Sequence, residues 1–99
     1  MRRREHYESK ILRELERAHA VLDELEVVAQ ARRAYAAIVT IHAARDLAGY
    51  IEKLRPALRS AFGFASLKVV RDVKSARRQL NVWIARLLAT LRGSASVAG

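Results

Sequence analysis

No cysteine occurs among the 99 residues, proline occurs once, glycine four times, and aromatic side chains make up 6%. Each scarcity excludes something. Without cysteine there is no disulfide, no thiolate nucleophile and no cysteine-ligated zinc. So little glycine and proline leaves a β fold short of turn chemistry, whereas a 52% apolar composition rich in Ala, Leu, Val and Arg favours helix. Long apolar runs are missing too. The longest uncharged interior stretch, Ala34–Ala44, is eleven residues, against the roughly 20 that span a bilayer. The opening MRRREHYES has no apolar segment behind it, and Glu5 and Glu8 do not suit a transit peptide. A soluble chain is expected, in a virion or in cytoplasm or nucleoid.

Catalytic motifs are also lacking. There is no glycine-rich phosphate loop and no Gly-x-Ser-x-Gly turn. Glu14 and Glu16 stand two apart, so they diverge on a helix. His42 and Asp46 share a helix face but lack a third ligand, so no metal site is expected. His19 sits at the edge of an apolar stripe, where packing explains it. No catalytic residue, metal or cofactor is assigned.

Acids are unevenly scarce. Residues 1–31 hold six Lys and Arg against seven Asp and Glu, whereas residues 32–99 hold thirteen against three. The net charge of +9 therefore resides wholly in the later two-thirds, and 15 of the 19 cations are Arg. A balance of this kind favours nucleic acid, anionic lipid or an acidic protein as partner.

What remains is helical periodicity. Ile11, Leu15, Ala18, Leu22, Leu25 and Ala29 step by four and three, predicting an amphipathic helix over 8–31. Residues 32–55 form a second stretch whose centre, AYAAIVTIHAA, is uncharged on every side. Helices of that kind lie inside bundles or between subunits. A bend near Gln30–Arg33 separates the two, one continuous helix over 8–55 being the alternative. Pro56 is expected to end or kink the second helix at Arg55. Residues 56–66 then form the connection, with Gly63 as pivot, Phe62 and Phe64 against helix ends, and Ser66 as N-cap. Over 67–92 a last helix gathers Val69, Val73, Ala76, Leu80, Trp83, Ile84, Leu87 and Leu91 on one side. Residues 1–7 read as a basic arm and 93–99 as a small-residue tail. The expected fold is a single all-α domain, an antiparallel helical hairpin or three-helix bundle that completes its core by oligomerisation. Tyr35, Ile38, Val39 and Ile41 are the expected self-association residues, in a dimer or larger assembly.

The far side of the last helix is almost purely cationic. Arg71, Lys74 and Arg78 stack at three- and four-residue spacing, with Lys68 on one flank and Arg77 on the other. Solvated helix faces usually mix signs, yet Asp72 is the only acid after Glu52. Cations so spaced suit successive backbone phosphates, and the planar Arg fork binds phosphate oxygens in pairs. Arg2, Arg3 and Arg4 form a candidate second element and Arg32 and Arg33 a secondary patch. A competing reading has Glu14, Glu16, Asp23, Glu24 and Glu26 of the acidic first helix neutralise this face, within the bundle or across subunits.

The stretch LRELERAHAVLDELEVVAQARRAYAAI resembles the long first helix of small all-helical chorismate mutases, over about a quarter of the chain. The resemblance implies Arg13 and Arg32 or Arg33 as ligands for substrate carboxylates. The family's buried Ile-Asp step is replaced here by Ala18–His19, and its later Lys has no clear counterpart. The function expected from the residues is instead structural: coating or compacting double-stranded DNA without sequence specificity, as a viral coat or nucleocapsid subunit or a nucleoid-type protein. No helix-turn-helix, zinc finger or basic zipper is visible to read bases. The alternative is a helical scaffold or adaptor whose basic helix docks an acidic protein.

Overall fold

In a computed structural model that describes residues 2–60 and 63–93, with side chains over 7–58 and 67–92, the chain is three helices. α1 spans Arg2–Ala31, α2 Tyr35–Ser60 and α3 Gly63–Leu88, the last running into a π-helical turn at Ala89–Gly93. They form an up-down-up bundle measuring 52 × 21 × 17 Å. Among the described residues there is no strand.

All six stripe residues of α1, from Ile11 to Ala29, are buried. α3 contributes Val73, Ala76, Leu80 and Leu87 to the same core, Leu91 follows from the π turn, and Val69, Trp83 and Ile84 pack half-buried against it. The uncharged stretch of α2 gives Ala37, Ile41 and Ala44, continued by Ala48, Ile51 and Leu58. Each large aliphatic side chain so buried contributes about 1.5–3 kcal/mol. One chain therefore buries Ala37, Ile41 and Ala44 of that stretch and leaves Tyr35, Ala36, Val39 and His42 exposed.

α1 and α2 are separate helices, and the break is a Schellman motif. The Ala34 amide donates to the Ala29 carbonyl at 2.9 Å and the Arg33 amide to the Gln30 carbonyl at 3.1 Å. This 6→1 and 5→2 pair closes the end of a helix around one left-handed residue. That residue is Arg33, with φ at 54°, a position that glycine normally takes.

Several expected boundaries are corrected. Residues 2–7 are the first turns of α1, not an extended arm. Pro56 lies inside α2 and does not end it. A proline gives up its own helix hydrogen bond, but buried Leu58 anchors the following turn on the core, so the helix runs on to Ser60. α3 begins at Gly63, so Ser66 sits in its first turn and is no N-cap. Helix covers 56–60 and 63–66 of the expected connection, leaving positions 61–62. These, the side chain of Phe64 and the 94–99 tail lie outside the described residues.

Candidate nucleic-acid interface

Five acids of α1, namely Glu8, Glu14, Asp23, Glu24 and Glu26, are directed onto the other helices, whereas Glu16 is exposed and in no ion pair among the described residues. Arg45 of α2 bonds Glu26 at 2.5 Å and Asp23 at 2.7 Å. These hydrogen bonds, Glu26 first, raise its pKa. Arg55 of α2 pairs with buried Glu8 at 2.9 Å. From the other side, Arg92 reaches Glu24 at 3.2 Å. Arg77 of α3 grips Glu14 through Nε and one terminal nitrogen, at 2.8 and 2.6 Å. Its other terminal nitrogen donates to the Tyr7 hydroxyl at 3.2 Å, and its guanidinium carbon lies 5.5 Å from the Tyr7 ring centre, within cation–π range. Burial alone would lower the Arg77 pKa; the bonds from Glu14 and Tyr7 outweigh it, and the net shift is upward.

The cations of the α3 stripe are spared. Lys68, Arg71, Lys74 and Arg78 are exposed, and none takes part in an ion pair among the described residues. Arg71, Lys74 and Arg78 share a shallow recess of about 500 Å³ with Leu67, Val70 and Ser75. Opposite them on α1, Lys10, Arg13 and Arg17 are likewise exposed and outside any ion pair among the described residues. Between the rails runs a groove of about 220 Å³ whose walls include Arg17 and Val21 of α1 with Asn81 and Ile84 of α3. Helical phase turns Lys10 and Arg17 toward α3 and Lys74 toward α1, while Arg71 and Arg78 point outward to water beside Lys74. The two rows thus flank one open face.

The Glu14–Arg77 and Glu24–Arg92 contacts also fix register. α1 and α3 run parallel, offset by 63 to 68 positions. This sets the backbone of Arg2–Arg4 level with the 65–72 segment of α3, at the same end as the stripe; the side chains of Arg2–Arg4 lie outside the described residues.

Not every predicted contact joins this face. Arg77 is corrected from phosphate contact to internal strut, because Glu14 and Tyr7 occupy all three of its nitrogens. Arg32 caps α3 by donating to the Leu91 carbonyl, and Arg33 forms the α1–α2 turn. Both stand at the opposite end of the bundle, about 20 helical residues or roughly 30 Å from Arg71. Arg13 and Arg32 are separated along α1 by roughly 28 Å, so the carboxylate-binding pair implied by the chorismate mutase resemblance does not converge within one chain. The α1 rail is hard to see in the sequence because the net charge of residues 1–31 hides it. The three- and four-residue steps of Lys10, Arg13 and Arg17 were the available signal.

The outer side of α2 has a different character. Of the four expected self-association residues, Ile41 is fully buried and Ile38 half-buried, since their spacing faces the core. Tyr35 and Val39 stay outside, 69% and 68% exposed. His42 lies 3.9 Å from Glu26 and His19 3.7 Å from Glu52. Among the described residues no group of three potential metal ligands gathers, and no helix is long and apolar enough to cross a membrane.

Against known protein families, curated proteins and solved structures, the chain shows no match.

Proposed function

We propose that the protein binds the phosphate backbone of double-stranded DNA through the α1/α3 face and, by self-association, coats or compacts it. The observation that carries this reading is the sorting of charge. Acids of α1 hold Arg45, Arg55, Arg77 and Arg92, while Lys10, Arg13, Arg17, Arg71, Lys74 and Arg78 are left clear of ion pairs, among the described residues, on one side. Lys68, likewise clear, stands half a turn around α3 from Arg77 and borders this side from beyond Arg71. The α3 row from Arg71 to Arg78 is roughly 10 Å long at 1.5 Å per residue. That matches about three base steps of about 3.4 Å along a strand. Such contacts fix position without reading sequence. A small subunit repeated along a duplex, as in a viral coat or a nucleoid-type protein, is the role these features suit.

Leu67, 63% exposed, and half-buried Val70 sit among the α3 cations. Mixed apolar and cationic lining also suits an acidic amphipathic helix, which makes a scaffold that docks an acidic protein the second reading. Titration against a random duplex of about 60 base pairs at several salt concentrations separates them. Length-dependent binding with a steep negative salt slope supports the DNA reading. Failure to bind at low salt overturns it.

A further inference from the structure

α2 carries a second seam on the side turned away from α1 and α3. Val39, Ala43, Asp46, Tyr50, Lys53 and Ala57 step by four, three, four, three and four. None of them is buried: Val39 is 68% and Tyr50 47% exposed, Asp46 and Lys53 lie outside the core, and the alanines are intermediate. Alternating steps of this kind are the spacing of helices that pair along their length. The inward seam of α2, through Ala37, Ile41, Ala44, Ala48 and Ile51, is already filled by α1 and α3.

Three observations identify what fits the outer seam. The intervals read the same in both directions about Ala48. A two-fold antiparallel pairing needs that palindrome, since every contact must occur twice with the chains exchanged. Val39 then meets the partner's Ala57, Ala43 the stem of the partner's Lys53, and Asp46 the partner's Tyr50. Charge agrees. Asp46 and Lys53 are the only charged residues of the seam, and neither is in an ion pair among the described residues. Antiparallel pairing sets each Asp46 carboxylate beside the partner's Tyr50 hydroxyl and one turn from the partner's Lys53; parallel pairing would set Asp46 against Asp46. Finally, Gly49 adjoins the seam in mid-helix, where glycine weakens a helix relative to alanine. A Cβ there would meet nothing within 4 Å, so packing inside the chain does not call for glycine, whereas close approach of a second helix does.

We propose that two copies of the chain pair antiparallel through this seam, about a two-fold axis level with Ala48. With α2 at the centre, the two α1/α3 faces look away from each other. A dimer so built holds two duplex segments at once and compacts DNA by bridging, a consequence that rests on the DNA reading above.

The test is a reciprocal charge exchange, with mass in solution followed across concentration by sedimentation. The natural chain dimerises. Asp46→Lys and Lys53→Asp each weaken the dimer by about tenfold or more, and the double variant restores it, because like charges are removed on both sides at once. Circular dichroism reports that each variant stays helical. A natural chain that is monomeric at every concentration overturns the proposal, and so does a helical double variant that remains monomeric. Two differently labelled duplexes then separate the two readings. Their co-capture by the natural chain, lost in a DNA-binding Asp46→Lys monomer, supports bridging. A dimer that ignores both duplexes overturns bridging and the DNA reading while the seam stands, and a monomer that binds duplex overturns the seam alone.

Discussion

Arg77 and Glu14, 63 positions apart in the chain, meet in a two-bonded fork of 2.8 and 2.6 Å that ties α3 to α1. Only 19% of the Arg77 side chain is exposed. The neighbouring Arg78 faces water. Two adjacent arginines thus have opposite roles, one holding the bundle together and one available to a partner.

Replacing Arg77 by Ala leaves Glu14 and the Tyr7 hydroxyl without their cation. A charged hydrogen-bonded contact of this sort contributes about 1.5–3 kcal/mol, and a domain this size loses about 4–8 °C of melting temperature per kcal/mol. Thermal unfolding should show that loss, with Arg77→Lys recovering only part of it, since an ammonium cannot reproduce the fork.

Duplex affinity should respond to the opposite set of residues. Arg71, Lys74 and Arg78 changed together to Ala should flatten the log–log salt slope by about 0.9 for each phosphate no longer neutralised. The triple change at Lys10, Arg13 and Arg17 should flatten it similarly. Arg77→Ala should leave the slope of the folded protein unaltered. An equal effect from all three variants would contradict the assignment of Arg77 to the interior.

Arg33 holds φ at 54°, a conformation costing about 1–2 kcal/mol for a residue with a Cβ. Arg33→Gly should therefore stabilise the protein by about 1 kcal/mol, raising the urea midpoint without changing its slope. Duplex binding should not change, since Arg33 is remote from the α1/α3 face.

Arg32→Ala removes the donor that caps the Leu91 carbonyl. A cost of about 1 kcal/mol is expected, localised at the end of α3. Hydrogen exchange should quicken over the π turn at Ala89–Gly93 and stay slow around Leu22 and Ala48.

Hydrogen bonds to Glu26 and Asp23 raise the Arg45 pKa above the ordinary guanidinium value. A cation whose folded value is raised stabilises at every pH below the unfolded value and loses that contribution only as the pH climbs past the folded one. The stability difference between the natural chain and Arg45→Gln should accordingly stay constant from about pH 7 to 10. A difference that shrinks across that window would mean the guanidinium is not what Glu26 and Asp23 stabilise.

Helix identity and inward faces were legible in the residues themselves. The α1 stripe from Ile11 to Ala29 and the α3 stripe around Val73 and Leu80 follow from 3.6-residue periodicity, a local property that needs no knowledge of neighbours. The scarcity of acids after Glu52 likewise marked α3 as the basic helix. Local rules failed where tertiary burial outweighed them, as where Leu58 carries α2 past Pro56; the expected arm is helix as well, as α1 begins at Arg2.

Partnership between charges was not legible. Arg77 and Arg78 stand about 100° apart around a helix, and nothing in the sequence says which of those directions α1 will occupy. The same holds for Arg32, a cap only because Leu91 arrives beside it. Sequence alone determined an all-helical chain, amphipathic at its first and last helices, and an excess of cations. Tertiary structure decided that residues 8–55 are two helices, and the packing of α1 against α3 decided which cations are neutralised, because an ion pair depends on distances of a few ångströms between residues far apart in the chain.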